Sequence, residues 1–356
     1  MDSDVLIVGG TSFFGREIVK GFVQQGYRVS VLSRGISEVP PVAGATYLSA
    51  DRNNEGDMRR VLSGKQFDIV VDNIAFVAKQ VELLLDVLGG AVGHLVFTSS
   101  VASYLDLGWQ YQPASEEAID AASEPPVVFD IDPAIRQPGI LGYPEGVIPY
   151  ALGKREIERL LVNRPEVEHT IFRLPTVVGP WDNSGRSQFY FERIYDNQPL
   201  VLTNGGVQTF HPIFSGDIPN AYISAAANAG SGSNIYNLAQ EHSFRLVDWL
   251  QLCASHLGGA LNVTAIPEQV LDEHFPEYEE NATYTTPFLL DVTRAVDELG
   301  FTSTPVEEWT ELTMKWFVDH RDGLEIMGYN NRSAEVQFAK HYELGIAELP
   351  TPETSA

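Results

Sequence analysis

The first hundred residues alternate two hydrophobic periods. Short runs rich in β-branched residues at 4–8, 27–32, 45–50, 67–72 and 94–98 read as buried strands. Between them, 16–25 and 78–88 carry apolar residues every three to four positions, and glycines at Gly26 and Gly89-Gly90 close these helices. Strands alternating with amphipathic helices predict βαβ units and a doubly wound parallel sheet, an α/β fold. A helix over 150–162 and a strand over 169–174 extend the series.

Beyond residue 180 the pattern changes. The spacing predicts a loop over 181–186, a helix over 188–196, a strand over 234–238 and an amphipathic helix over 246–257. Apolar runs at 200–202 and 208–213 flank Asn204-Gly205, the strongest two-residue hairpin signal in the chain. The boundaries implied are a sheet domain over 1–180, to which the chain returns near 208–240, and a smaller, mainly substrate-binding cap over 181–320. A weakly periodic C-terminal extension covers 321–356, with 350–356 as a frayed tail.

The chain has 356 residues, of which 23 are basic and 48 acidic, for a formal charge of −25. Nucleic acid and anionic membranes both require a positive surface, so neither is expected as a partner; a small anionic substrate can still be met by a local arginine cluster. The sole cysteine, Cys253, excludes an internal disulfide and a multi-cysteine zinc site. No metal centre is expected, and a reducing cytoplasm is the natural setting. The first ten residues hold two acidic groups and an apolar run of four, so no signal peptide is expected, and no stretch approaches the ~20 apolar residues of a membrane span.

Candidate chemistry begins directly after the first strand, at Gly9-Gly10-Thr11-Ser12-Phe13-Phe14-Gly15. A sharp strand-to-helix turn of small residues lets backbone N–H groups meet a pyrophosphate at a helix N-terminus. The second strand ends in Ser33-Arg34, where an NAD site usually carries an acidic residue; a guanidinium suits a 2′-phosphate, so NADP is favoured, with NAD the alternative. Arg34 stacking on the adenine is the competing reading. Asp51 either accepts from the adenine amino group or caps the helix that follows.

With Thr98-Ser99-Ser100 at a strand end, Tyr150-Ala-Leu-Gly-Lys154 on a helix and Arg173-Leu-Pro-Thr-Val-Val-Gly-Pro180, the ordered motifs resemble an extended short-chain dehydrogenase/reductase of the NAD-dependent epimerase/dehydratase family. The resemblance spans roughly residues 4–320. It implies a Rossmann domain, a C-terminal substrate domain, a nucleotide-sugar substrate and a possible homodimer. It also implies Ser100, Tyr150 and Lys154 as catalytic residues, and Ile74, Ala75, Lys154 and Pro175 beside the cofactor.

Hydride transfer at a carbinol carbon needs a proton carrier, and a phenol with a reference pKa near 10 is a poor base at neutral pH. Lys154 lies one turn after Tyr150 and brings the positive charge that stabilises a phenolate. Two departures are informative. Val101 and Ala102 stand where the related 4,6-dehydratases carry Asp-Glu, which argues against elimination of water. Ser12 replaces the middle glycine, in a form that looks like an atypical branch including chloroplast stem-loop RNA-binding proteins.

Substrate contacts are expected from Ser99, Asn183, Arg186, Gln188 and His211, with Arg193 a further phosphate candidate. His211 is also read as a structural histidine and Arg173 as a structural arginine, and Trp181 either stacks on a base or ring or wedges the domains together. Two enzymatic readings stay open, an epimerase that retains its dinucleotide and an NADPH-dependent ketoreductase. A non-catalytic dinucleotide-scaffold protein, RNA-binding or regulatory, is the third. The insertion over 105–149 reads as a substrate lid or an inert surface loop.

Overall fold

The computed structural model describes residues 3–107, 113–125, 147–275, 288–324 and 331–345. Trp109, Tyr111 and Tyr143 of the 105–149 insertion, and the tail 350–356, lie outside the described residues. The first half of the chain folds as β1 (Asp4–Val8), α1 (Phe13–Gln24), β2 (Arg28–Ser33), β3 (Thr46–Ser49), α2 (Glu55–Leu62), β4 (Phe67–Asp72), α3 (Ala78–Leu88), β5 (Val92–Ser100), α4 (Val147–Val162) and β6 (His169–Leu174). The second half adds β7 (Val177–Val178), α5 (Arg186–Tyr195), β8 (Leu200–Thr203), β9 (Thr209–Phe210), β10 (Ile213–Phe214), α6 (Ile218–Ala227), β11 (Asn234–Asn237), β12 (Phe244–Arg245), α7 (Leu246–His256), β13 (Val263–Ile266), α8 (Glu268–His274), α9 (Thr293–Leu299), α10 (Val306–His320) and α11 (Arg332–Glu343).

Seven parallel strands form the central sheet in the order β11-β6-β5-β4-β1-β2-β3. Its runs read as continuously apolar because both faces are covered. Along β1, Val5 and Ile7 enter one core with α1 and α6, whereas Leu6 and Val8 enter the other with α2, α3 and α4. Gly26 (φ +82°) and Gly89 (φ +60°) let the chain leave α1 and α3 in the left-handed region. Strand order reverses between β1 and β4, so the loops after these strands open a crevice at their carboxyl ends.

The cap is built around an aromatic core that includes Trp249, Trp309, Phe191, Phe317 and the buried Cys253. Phe338 and Ala339 of α11 belong to that core, so part of the 321–356 segment is integral to the cap. Arg193, Glu335 and Arg332 pair within it, with Arg193 Nε 2.9 Å from Glu335 Oε2.

The hairpin expected around Asn204-Gly205 is not formed. Both residues take the left-handed conformation that a tight turn requires (φ +51° and +75°), but β8 leaves to pair in parallel with β13, and β9 pairs with β12. Turn chemistry was read correctly and strand pairing was not, because the partners lie far along the chain.

Candidate functional site

The loop after β1 is shaped by missing β-carbons. One added at Gly15 would stand 2.2 Å from the Gly9 carbonyl oxygen, and one at Gly10 would stand 2.5 Å from Val19. Gly9 (φ +88°) lies against Ile74. These contacts press the start of α1 onto the strand end, where the Ser12 side chain caps none of its backbone N–H groups and no acidic residue lies in the first turn. Such a helix start could hold a pyrophosphate. Ser12 itself is extended (φ −146°), a conformation open to any residue, and the left-handed demand falls on Phe13 (φ +46°). The replaced glycine is therefore compatible with the turn.

At the adenosine end Arg34 is exposed, and among the described residues no ion pair is recorded for it. Ser33 Oγ accepts the N–H of Gly35 at 3.3 Å. Asp51 is half-buried and accepts the N–H of Asn53 at 2.9 Å. It does not cap α2, because Asn54 fills that position by accepting from Asp57 N–H at 3.0 Å. Two residues that the pattern did not single out lie beneath: Arg52 and Asp72 form a buried bidentate pair at 2.7 and 2.8 Å. Asn73, also missed, accepts from Thr98 Oγ at 2.6 Å and so ties the ends of β4 and β5 together.

The reactive end is organised by α4. Lys154 is buried, and its ammonium donates to the carbonyls of Ala75 (2.7 Å) and Thr98 (2.8 Å), taking two of its three donors. Its Nζ lies 5.6 Å from the ring centroid of half-buried Tyr150, 5.2 Å from that of Phe76 and 4.9 Å from that of Phe97. α4 can come this close because residue 153 is glycine: a β-carbon there would fall 1.9 Å from the Phe76 carbonyl oxygen. Ser100 ends β5, buried, and accepts the N–H of Ala102 at 3.2 Å, which leaves its hydroxyl hydrogen as a donor. Pro175, just past β6, is buried.

Burial pushes the Lys154 ammonium down to about 7, and the Asp72 carboxylate acts in the opposite direction. An amine whose folded pKa lies below its unfolded value binds fewer protons when folded between the two, so stability rises with pH across that window. Relative to Lys154→Met, the cofactor-free protein should gain stability as pH rises from about 7 toward 10. Urea melts of both forms across this range check it, and parallel curves would refute it.

Several sequence-stated contacts turn out to be spent inside the fold. Ser99 Oγ donates to Glu158 Oε1 at 2.5 Å and Ser103 donates to the same oxygen at 3.0 Å, while Arg173 holds Glu158 through Nε and Nη2. Arg173 also donates to Tyr104 Oη and to the Glu116 carbonyl, so Ser99 belongs to a buried structural network. His211 is engaged at both ring nitrogens, Nε2 with the Gln240 carbonyl (2.6 Å) and Nδ1 accepting from Leu290 N–H (3.2 Å), and burial lowers its pKa. Gln188 is buried and donates to the Asp182 carbonyl. Arg193 is committed to Glu335. Asn183 is exposed, and Arg186 is half-buried at the start of α5.

Trp181, in the left-handed region (φ +67°), stacks under Arg16 of α1 at 4.7 Å and beside Trp316 of α10 at 5.7 Å, joining sheet lobe and cap. Among the described residues no group of three metal-ligating side chains occurs, and no helix is long and apolar enough to cross a membrane.

Residues 5–126 match the model of the NAD dependent epimerase/dehydratase family. Among curated proteins, the chain is 25% identical over 271 residues to the chloroplast stem-loop binding protein of 41 kDa b from Arabidopsis thaliana; the match takes in 72% of this chain and 64% of that protein, less than two thirds of its length. The fold is similar to that of UDP-glucose 4-epimerase from Thermotoga maritima, with a TM-score of 0.69 and 17% identity over 89% of this chain and 99% of that one. It is also similar to UDP-glucose 4-epimerase from Bifidobacterium longum in complex with NAD+ and UDP, with a TM-score of 0.65 and 15% identity over 90% and 100% of the two chains.

Proposed function

We propose that this chain, whose residues 5–126 match the model of the NAD dependent epimerase/dehydratase family, catalyses hydride transfer at a carbinol or carbonyl carbon of a nucleotide sugar, with a nicotinamide dinucleotide in the crevice. The observation that carries this reading is the buried Lys154 ammonium, held by two carbonyls beside the Tyr150 ring and one strand end from the Ser100 hydroxyl. The Gly9–Gly15 loop would hold the dinucleotide, which when bound would supply the hydride acceptor and donor. Tyr150 removes the hydroxyl proton as the carbinol is oxidised and gives it back on reduction. Lys154 stabilises the phenolate by its charge and keeps a donor for the nicotinamide ribose, and Ser100 orients the substrate oxygen. Val101 and Ala102 carry no proton-transferring group, so elimination of water is not part of the reaction.

The two forms of this activity differ in how the dinucleotide is held. An epimerase must retain it through the cycle, so denaturing the purified protein should release it in stoichiometric amount; a ketoreductase should bind it reversibly. NADP is the proposed form, on the strength of the exposed Arg34 at the end of β2. Arg34→Ala is expected to weaken NADP(H) by about tenfold, the cost of one exposed charge-assisted contact, with NAD(H) little changed. Calorimetric titration of both cofactors checks this, and equal losses would assign Arg34 to adenine stacking.

Similarity to the stem-loop binding protein favours a second reading, a nucleic-acid-binding protein on the same scaffold. The charge of −25 weighs against it, since phosphate neutralisation needs a basic face. A salt-dependent RNA affinity untouched by Tyr150→Phe would establish it.

A further inference from the structure

Phe76 is a feature of the reactive end that the proposed chemistry does not use. It follows Ala75, whose carbonyl binds Lys154, and its ring sits 5.9 Å from that of Tyr150, yet 49% of the residue is exposed. Val77 beside it is 45% exposed. The other exposed large apolar residues among those described, such as Ile36 and Leu344, belong to other parts of the surface, whereas these two stand next to each other at the acid/base. A small apolar patch in a site mouth marks a surface meant to be covered by a ligand.

The ring is held firmly by its backbone. Phe76 N–H donates to Gln80 Oε1 at 2.8 Å, Gln80 Nε2 donates to Asn53 Oδ1 at 2.8 Å, and the Phe76 carbonyl is seated against Gly153. On its other side Tyr150 is grouped with Ala102, Ile148, Leu152 and Phe288, all apolar. Among the described residues, Gln80 meets the Phe76 backbone and not its ring, and Ser100, Tyr150 and Lys154 are the polar groups proposed to act on the reacting oxygen. A hydroxyl on a substrate flank laid over the Phe76 and Val77 side chains would exchange water for hydrocarbon.

We infer that Phe76 is a specificity-determining residue, and that the substrate lays an apolar, deoxygenated flank of its reacting ring on it. This rests on the hydride-transfer reading and narrows its substrate class to deoxy sugars over fully hydroxylated hexoses.

The test compares UDP-galactose with UDP-6-deoxygalactose, which differ by one hydroxyl, following conversion of each nucleotide sugar by chromatography in the presence of NAD(P)+. The 6-deoxy compound is expected to show a kcat/KM about 10- to 100-fold higher, the range open to an apolar pocket. Phe76→Ser should collapse that ratio toward one through KM, with kcat and dinucleotide affinity held. Equal use of both sugars, a ratio that survives Phe76→Ser, or a loss of dinucleotide affinity in that variant would each overturn the inference. If neither sugar is converted, the nucleotide-sugar reading falls by itself and acetophenone with NADPH decides. Reduction with a KM raised by Phe76→Ser upholds the apolar flank, and no reduction overturns it.

Discussion

Tyr150→Phe is expected to lower kcat/KM by about 10²–10⁴-fold, the usual contribution of a positioned acid/base, while leaving dinucleotide affinity in place. The substitution removes one oxygen and keeps the ring that stacks near Phe76 and faces the Lys154 ammonium. Folding should therefore be preserved, and any loss belongs to proton transfer. Steady-state turnover alongside a dinucleotide titration separates the two effects. Turnover unchanged by the variant would remove Tyr150 from the mechanism.

Arg173→Met should destabilise the protein by about 3–5 kcal/mol, as expected when one member of a buried pair is deleted and the other is left charged. Arg173 and Glu158 are both fully buried, and Arg173 Nη2 lies 2.7 Å from Glu158 Oε2. Around them Ser99, Ser103 and Tyr104 are oriented by the same pair, and Tyr104 in turn donates to Asn237 at 2.8 Å. The damage would thus reach from β5 to β11. Urea denaturation measures it, and Glu158→Leu added to Arg173→Met should recover part of the loss, because the stranded carboxylate is then gone. A single variant with an unchanged midpoint would show that the pair contributes nothing net.

The sheet and the tight glycine turn after β1 were legible because their demands are local. A parallel sheet buried on both faces forces continuous apolar runs, and a strand-to-helix turn that lets α1 touch the Gly9 carbonyl admits no β-carbon at residue 15. Tyr150 and Lys154 were legible because one helical turn fixes their shared face whatever surrounds them. Long-range pairings were not. Nothing near Arg52 announces Asp72, and Ser99 looks like any serine at a strand end until Glu158 arrives from α4. The available signal was phase: Glu158 shares its helix face with Lys154 and Leu161, where an unpaired acid would be costly. Ser12, a departure from the family pattern, has an extended backbone that places no special demand on side-chain type.

The order in which these pieces appear along the chain bears on how the protein is made. By residue 180 a growing chain has delivered six of the seven sheet strands, but β11 and α9, which complete that lobe, come from 234–237 and 293–299. The cap waits longer still, since its core includes Phe338. Until then the free edge of β6 and the apolar faces awaiting α6 and α11 stay open to water, so the sheet lobe cannot close before α9 has been made, nor the cap before α11.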